Sequence, residues 1–144
     1  MKNMLLLCIC LVSSHLVFSQ SGTVEANDSL PIFTKVEVEA SFPGGLEAWK
    51  HFLQNNLDME KVAKKAAPKK AKFWSQTALV RFLIDKDGTV IEATVINASK
   101  LHAEVIKEAK RVILLSPKWN PGYQNGKPVK SYRTQPITFA VSVE

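Results

Sequence analysis

The stretch that most restricts what this chain can fold into runs from Thr77 to Ile96: "TALVRFLI", then "DKDG", then "TVIEATVI". Apolar and polar residues alternate on both sides of a short segment of Asp and Gly, and a period of two places successive side chains on opposite faces of a strand. The pattern predicts a β-hairpin, with Val80, Phe82 and Ile84 on one face of the first strand and Ile91, Ala93 and Val95 on one face of the second. An isolated hairpin is marginal in water, so its apolar face needs a further strand and a covering helix. The remaining residues must supply both.

Leu46, Trp49, Leu53 and Leu57 recur at helical steps with Phe52 beside them, which predicts a first helix within "SFPGGLEAWKHFLQNNL", residues 41–57. Gly44 and Gly45 in front of it fit either an anion-binding turn or a sharp helix start. No Lys, Ser or Thr follows at P-loop positions, and Glu47 in the first turn suits the helix dipole, so the helix start is the better reading. The helix can extend to Ala66, where Pro68 disfavours helical backbone at Ala67. A second helix is marked by His102, Val105, Ile106, Ala109, Val112 and Ile113 and stopped by Pro117. "KWNPGYQNGKPV" reads as a loop, and "SYRTQPITFAVSV" as a closing strand with Ile137, Phe139, Val141 and Val143 on one face. Ahead of the first helix, "IFTKVEVEA" reads as a half-exposed arm. The order arm, helix, strand, strand, helix, strand predicts an α+β fold: two helices packed on one face of a small, about three-stranded antiparallel sheet. Trp49, Phe82, Ile106 and Phe139 are expected to meet in its core.

The amino terminus, "MKNMLLLCICLVSSHLVFSQ", carries a lysine, an apolar run and small residues before Gln20, the pattern of a signal peptide over residues 1–19 cleaved after about Ser19. The apolar run is short for a membrane span, and Cys8 and Cys10 lie too early for a lipoprotein site. Residues 20–35 are expected to form a flexible mature terminus and residues 36–144 the domain. Both cysteines leave with the leader, which excludes disulfides, thiolate metal sites and cysteine nucleophiles. Removing Lys2 leaves 18 basic against 13 acidic residues. The balance favours an anionic partner, and export argues against nucleic acid.

Few residues suggest reaction chemistry. Asp85 and Asp87 are spaced like the first ligands of a calcium loop, but Val90 and Ile96 stand where that loop needs Gly and Glu, so "DKDGT" is a turn. His51 and His102 have no serine or acidic neighbours in a catalytic motif. An enzyme with an unrecognised site is the weakest functional class, and no cofactor or metal is expected. Lys61, Lys64, Lys65, Lys69, Lys70 and Lys72 crowd into twelve positions. They form a solvated face or a basic surface for anionic lipid, cell wall or an acidic partner.

Three stretches together, "FPGG-x-EA-x-x-x-FL", "ALVRFLIDKDGTVIEATVI" and "SPKWNPGYQNGKPVKSYRTQPITF", resemble the carboxy-terminal domain of TonB-family energy transducers. The likeness spans about residues 36–143 and is most specific at Trp119, Pro121, Gly122, the run Asn125 to Val129, Pro136, Ile137 and Phe139. It departs at Leu57-Asp58-Met59, where the family carries a Tyr-Pro pair, and at Gln76-Thr77-Ala78, where it carries a glycine. The resemblance implies a periplasmic binding module that captures a segment of an outer-membrane transporter or other envelope protein as an added strand. Its expected partner-binding residues are Ser131, Tyr132, Arg133, Thr134, Gln135, Pro136, Thr138 and Ala140, with the Arg133 and Gln135 side chains pointing outward. The family's uncleaved anchor and proline-rich spacer do not appear in these residues, so a stand-alone exported module is expected; the sequence assigns no oligomeric state.

Overall fold

The computed structural model describes residues 31–142. The expected signal peptide, its cleavage after Ser19, most of the expected flexible terminus and Val143 lie outside these residues. Three strands form the main antiparallel sheet: β1 (Phe73–Ile84), β2 (Val90–Val95) and β5 (Ser131–Ser142), in the order β2-β1-β5. A two-stranded ribbon, β3 (Gly122–Gln124) and β4 (Lys127–Val129), stands beside it. Helices α1 (Gly45–Asn56), α2 (Met59–Ala66) and α3 (Ala103–Leu115) complete an α+β fold of the kind expected.

The hairpin forms, with Asp85 N–H donating to the Thr89 carbonyl at 2.9 Å to close its turn. Val80 pairs with Val95 and Phe82 with Ala93, but Ile84 pairs with Val90, so Ile91 is an extra residue in β2. This bulge turns Val90 toward the core and leaves Ile91 exposed, which corrects the expected face of Ile91, Ala93 and Val95. Beyond β2, the Asn97 side chain stands in for a peptide group. Its Oδ1 accepts from Leu79 N–H and its Nδ2 donates to the Thr77 carbonyl, each at 2.9 Å.

The glycine pair serves the helix start. Gly45 N–H donates to the Phe42 carbonyl at 2.9 Å across a turn with Pro43 at its second position and Gly44, at φ 83°, at its third. This is a type II turn, whose third position requires the positive φ that glycine adopts without strain. Leu46 is exposed, so the used stripe of α1 is Trp49, Phe52 and Leu53. The single long helix that was permitted to Ala66 is two: Leu57 is extended, and the Asp58 side chain accepts from Lys61 N–H at 3.1 Å to cap α2. At the start of α3, His102 Nδ1 accepts from Glu104 N–H, so His102 is a cap and not a member of the buried stripe.

Trp49, Phe82 and Phe139 share one buried cluster with Ala78, Val80, Val105 and Trp119, while Ile106 packs half-buried against it. Trp119 is its hub, with ring centroids 5.0 Å from Phe82 and 5.4 Å from both Phe42 and Trp49. Contacts of this geometry add to burial because ring edges meet ring faces. Trp119 is tied to the hairpin turn by its N–H, which donates to the Gly88 carbonyl at 2.8 Å.

An ion pair between a buried carboxylate, Glu108, and the more exposed Arg111 holds the helices together. Glu108 on α3 accepts from Asp58 N–H at 2.8 Å and from the Arg111 guanidinium, which also donates to the Asn56 carbonyl. The pair therefore satisfies backbone groups left open on both sides of the α1–α2 break. Hydrogen bonding from Arg111 holds the Glu108 carboxyl below its ordinary value, against the opposing effect of burial.

Candidate functional site

β5 pairs with β1 over all twelve of its residues without a bulge, and its other side is a sheet edge. The direction of each backbone group on that edge follows from two hydrogen bonds. Tyr132 N–H donates to the Phe33 carbonyl, away from β1, and Leu79, which pairs with Pro136, takes its backbone bonds from the β2 side. Because backbone groups alternate sides along an antiparallel strand, Tyr132, Thr134, Pro136, Thr138, Ala140 and Ser142 all present their backbone outward, while odd-numbered residues bond to β1. Pro136 thus falls where its missing N–H costs the sheet nothing.

Part of the edge is already occupied. Phe33 makes a parallel bridge to Ser131, its N–H donating to the Lys130 carbonyl at 3.0 Å, so the arm is tied to β5 ahead of the expected domain start at residue 36. The arm then crosses to the ribbon, with Val38 bridging Tyr123 and Ser41 bridging Asn120. Among the described residues nothing pairs with the edge from Thr134 to Ser142, and Thr134, Pro136, Thr138, Ala140 and Ser142 are all exposed. β2, the sheet's other edge, is half as long and bulged, both features that discourage pairing.

The expected site residues therefore divide. Thr134, Pro136, Thr138 and Ala140 lie on the open edge; Tyr132 has its amide engaged by Phe33, and Ser131 is buried. Arg133 and Gln135 do not point outward. They share the face of Ile137 and Phe139, and both are half-buried. Arg133 donates to Glu39 Oε2 at 3.0 Å and lies 5.9 Å from the Trp119 ring centroid, so it fastens the arm to the core. The correction follows from strand parity: with Phe139 inward, every odd residue of β5 faces the helices.

Beside the open edge, on the helix side, lies a groove of about 380 Å³ lined by Leu53, Leu57, Met59, Ile137, Thr138 and Ala140, with Lys50 and Gln54 also on its wall. The lysines are elsewhere. Lys61, Lys64 and Lys65 lie on α2, Lys69 and Lys70 in the turn after it, and Lys72 just before β1. Lys65 pairs with Glu104 at 2.9 Å and lowers that carboxyl from its ordinary value. Asp87 is likewise held far below the carboxylate range, first by Lys118 and then by the N–H and hydroxyl of Thr89. "DKDGT" is thus an internally bonded turn. His51 bonds to Asn55 along α1 and His102 caps α3, so the two are used separately. Among the described residues no cluster of three or more His, Cys, Asp or Glu could hold a metal, and no helix is long and apolar enough to cross a membrane.

Sequence reasoning missed the β3–β4 ribbon, although "QNGK" carried its signal. Asn125 and Gly126 have φ 51° and 69°, the left-handed pair of a two-residue hairpin turn. It also missed Glu108, Arg111 and Asn97, whose roles depend on partners far along the chain.

Comparison with curated proteins and with solved structures gives no match. A family model described as "Gram-negative bacterial TonB protein C-terminal" matches residues 69–141, just over half of the chain, and takes in β1, β2, α3, the ribbon and all but the last residue of β5. Domains of this family are periplasmic and mediate contacts with envelope or outer-membrane proteins. The hairpin, the Trp119 hub and the closing strand belong together in one recognised unit: this chain is a member of the TonB carboxy-terminal domain family.

Proposed function

We propose that this chain is a periplasmic binding module, related to energy transduction for outer-membrane transport, that captures an extended segment of an outer-membrane transporter or other envelope protein as an added strand beside β5. The observation that carries the reading is the open edge from Thr134 to Ser142, where exposed residues present backbone outward from a long, regular strand with no pairing partner among the described residues. Backbone bonds supply the grip, and the neighbouring groove receives those side chains of the segment that point toward the helices.

Outward register makes the reading testable without dismantling the sheet. A proline at Ala140 removes an edge donor and puts a ring in the path of an incoming strand, yet breaks no bond to β1. Ala140→Val keeps the donor. Peptides covering the periplasm-facing segments of the same cell's transporters are screened for binding, and the best binder is titrated against both variants after each is shown to melt like the parent. Loss of one hydrogen bond with added obstruction weakens binding about tenfold or more in Ala140→Pro and little in Ala140→Val. Equal affinity for parent and Ala140→Pro would remove β5 as the docking edge.

A further inference from the structure

From Lys61 to Ile84 the chain contains no acidic residue, and six lysines fall in its first twelve positions. The fold brings Lys64, Lys69, Lys70 and Lys72 to one corner, while Lys61 and Lys65 line a depression beside it with Asp58 and Glu60. After α2, Ala71 N–H donates to the Pro68 carbonyl at 3.0 Å, closing a turn that carries Lys69 and Lys70 at its exposed tip. Lys72 follows, and then Phe73, whose side chain is left 67% exposed at the start of β1. Trp74 next to it is half-buried and floors a shallow depression of about 220 Å³ with Ala67, Pro68, Ala71 and Val141, flanked by Lys64 and Lys69. Among the described residues Lys64, Lys69, Lys70 and Lys72 have no ion-pair partner.

We infer that this corner is a docking surface for an anionic lipid membrane. All six cations are lysines, compact point charges on flexible stems, and none is an arginine offering the flat fork that suits shaped recognition of one carboxylate. Such charges match a diffuse sheet of phosphate headgroups, to which each lysine contributes about a fivefold gain in affinity near the surface. An exposed aromatic beside them belongs at the boundary between headgroups and acyl chains, where the ring is buried while the ammonium groups stay at the phosphates. A solvated face explains the lysines but leaves Phe73 without a purpose.

The position is compatible with partner capture. Phe73 pairs with Ser142, so the basic corner lies at one end of the β1–β5 pair and the arm's bridge to Ser131 at the other. A chain resting on lipid by this corner meets it at the Ser142 end of the open edge and keeps the Thr134 end clear of the surface.

The test uses protein recovered from cells, with the amino terminus it carries there, and sedimentation with vesicles of phosphatidylcholine alone or with about 30% phosphatidylglycerol, a fraction chosen to give a strongly anionic surface. Binding to the anionic vesicles is expected at low salt and is expected to fade as added salt shortens the screening length from about 10 Å at 0.1 M toward about 3 Å at 1 M. The triple variant Lys69→Glu, Lys70→Glu, Lys72→Glu should lose about a hundredfold or more in affinity while melting like the parent, since all three side chains are exposed. Phe73→Trp should gain quenching by brominated acyl chains over the parent. Ala140→Pro should bind vesicles unchanged, which separates this surface from the β5 edge. Equal binding to neutral vesicles, or undiminished binding by the triple variant, would overturn the inference. So would capture of a hexaglutamate peptide by the same lysines without any binding to anionic vesicles, which would assign the corner to an acidic protein.

Discussion

Gly88 gives a sharp test of how the hairpin turn and the aromatic hub depend on each other. It sits in the "DKDG" turn at φ +87°, and a Cβ built there would lie 1.9 Å from the Trp119 carbonyl oxygen. Gly126, in the ribbon turn, has φ +69° and open space where its Cβ would go. Alanine in left-handed backbone costs about 1–2 kcal/mol at either position. Only Gly88→Ala also drives a methyl group into backbone that cannot swing aside, an overpacking cost of about 1–3 kcal/mol more. It must also stretch the 2.8 Å bond from Trp119 N–H to the Gly88 carbonyl. Gly88→Ala should therefore lose about 2–5 kcal/mol in total, a large share of a small domain's stability of about 5–15 kcal/mol, and Gly126→Ala about 1–2 kcal/mol. Urea unfolding followed by tryptophan fluorescence measures both. If the two variants come out within about 0.5 kcal/mol of each other, the close approach of Gly88 to Trp119 is not what that glycine is for, and the coupling of the hairpin turn to the Trp119 backbone loses its main support.

Three further outcomes are expected. Phe139→Ala should cost about 3–5 kcal/mol in the same unfolding assay, since the ring is fully buried between sheet and helices. Asn97→Ala, which strips two hydrogen bonds from β1, should cost about 1–3 kcal/mol and accelerate amide exchange at Leu79. The Glu108, Glu104 and Asp87 carboxyls are all lowered in the folded state, so the unfolded chain binds more protons in acid. The stability they contribute is complete above the ordinary carboxyl values of 3.8 to 4.5 and is lost as pH falls below them. Melting temperature against pH should show that fall, and Arg111→Ala should flatten its Glu108 part.

The sequence made some features legible and hid others for identifiable reasons. Alternation with a period of two placed β1 and β5 because each buries a continuous row on one face, Ala78 to Ile84 and Ile137 to Phe139. The bulge at Ile91 was hidden because period two cannot say where one strand takes an extra residue; only the partner's register does. The break between α1 and α2 was hidden because Asp58 is a cap only if Leu57 is extended, and the bonds that settle this come from Glu108 and Arg111, fifty residues away. At the candidate site, the family resemblance pointed to the closing strand, and Pro136 suits it to the sheet edge because an inner strand would need the missing N–H. The outward placing of Arg133 and Gln135 failed on parity, since both are odd-numbered like the inward Ile137 and Phe139.

The same proline bears on how favourably a long open edge can pair with another copy of itself. Each β5 edge lacks a donor at Pro136 and has its Ser131 end occupied by Phe33. Two copies joined edge to edge would bring together two such gaps and two bound arms, and would forfeit a hydrogen bond at each proline, about 0.5–1.5 kcal/mol apiece. A foreign segment without proline forfeits only one. The uncovered stretch from Thr134 to Ser142 spans roughly 30 Å at the usual strand rise, long enough for a short extended peptide. Pro136 therefore does on this edge what charges and bulges do on others: it makes self-pairing less favourable while leaving outward groups at Thr138, Ala140 and Ser142 for a partner that supplies its own complete set of donors.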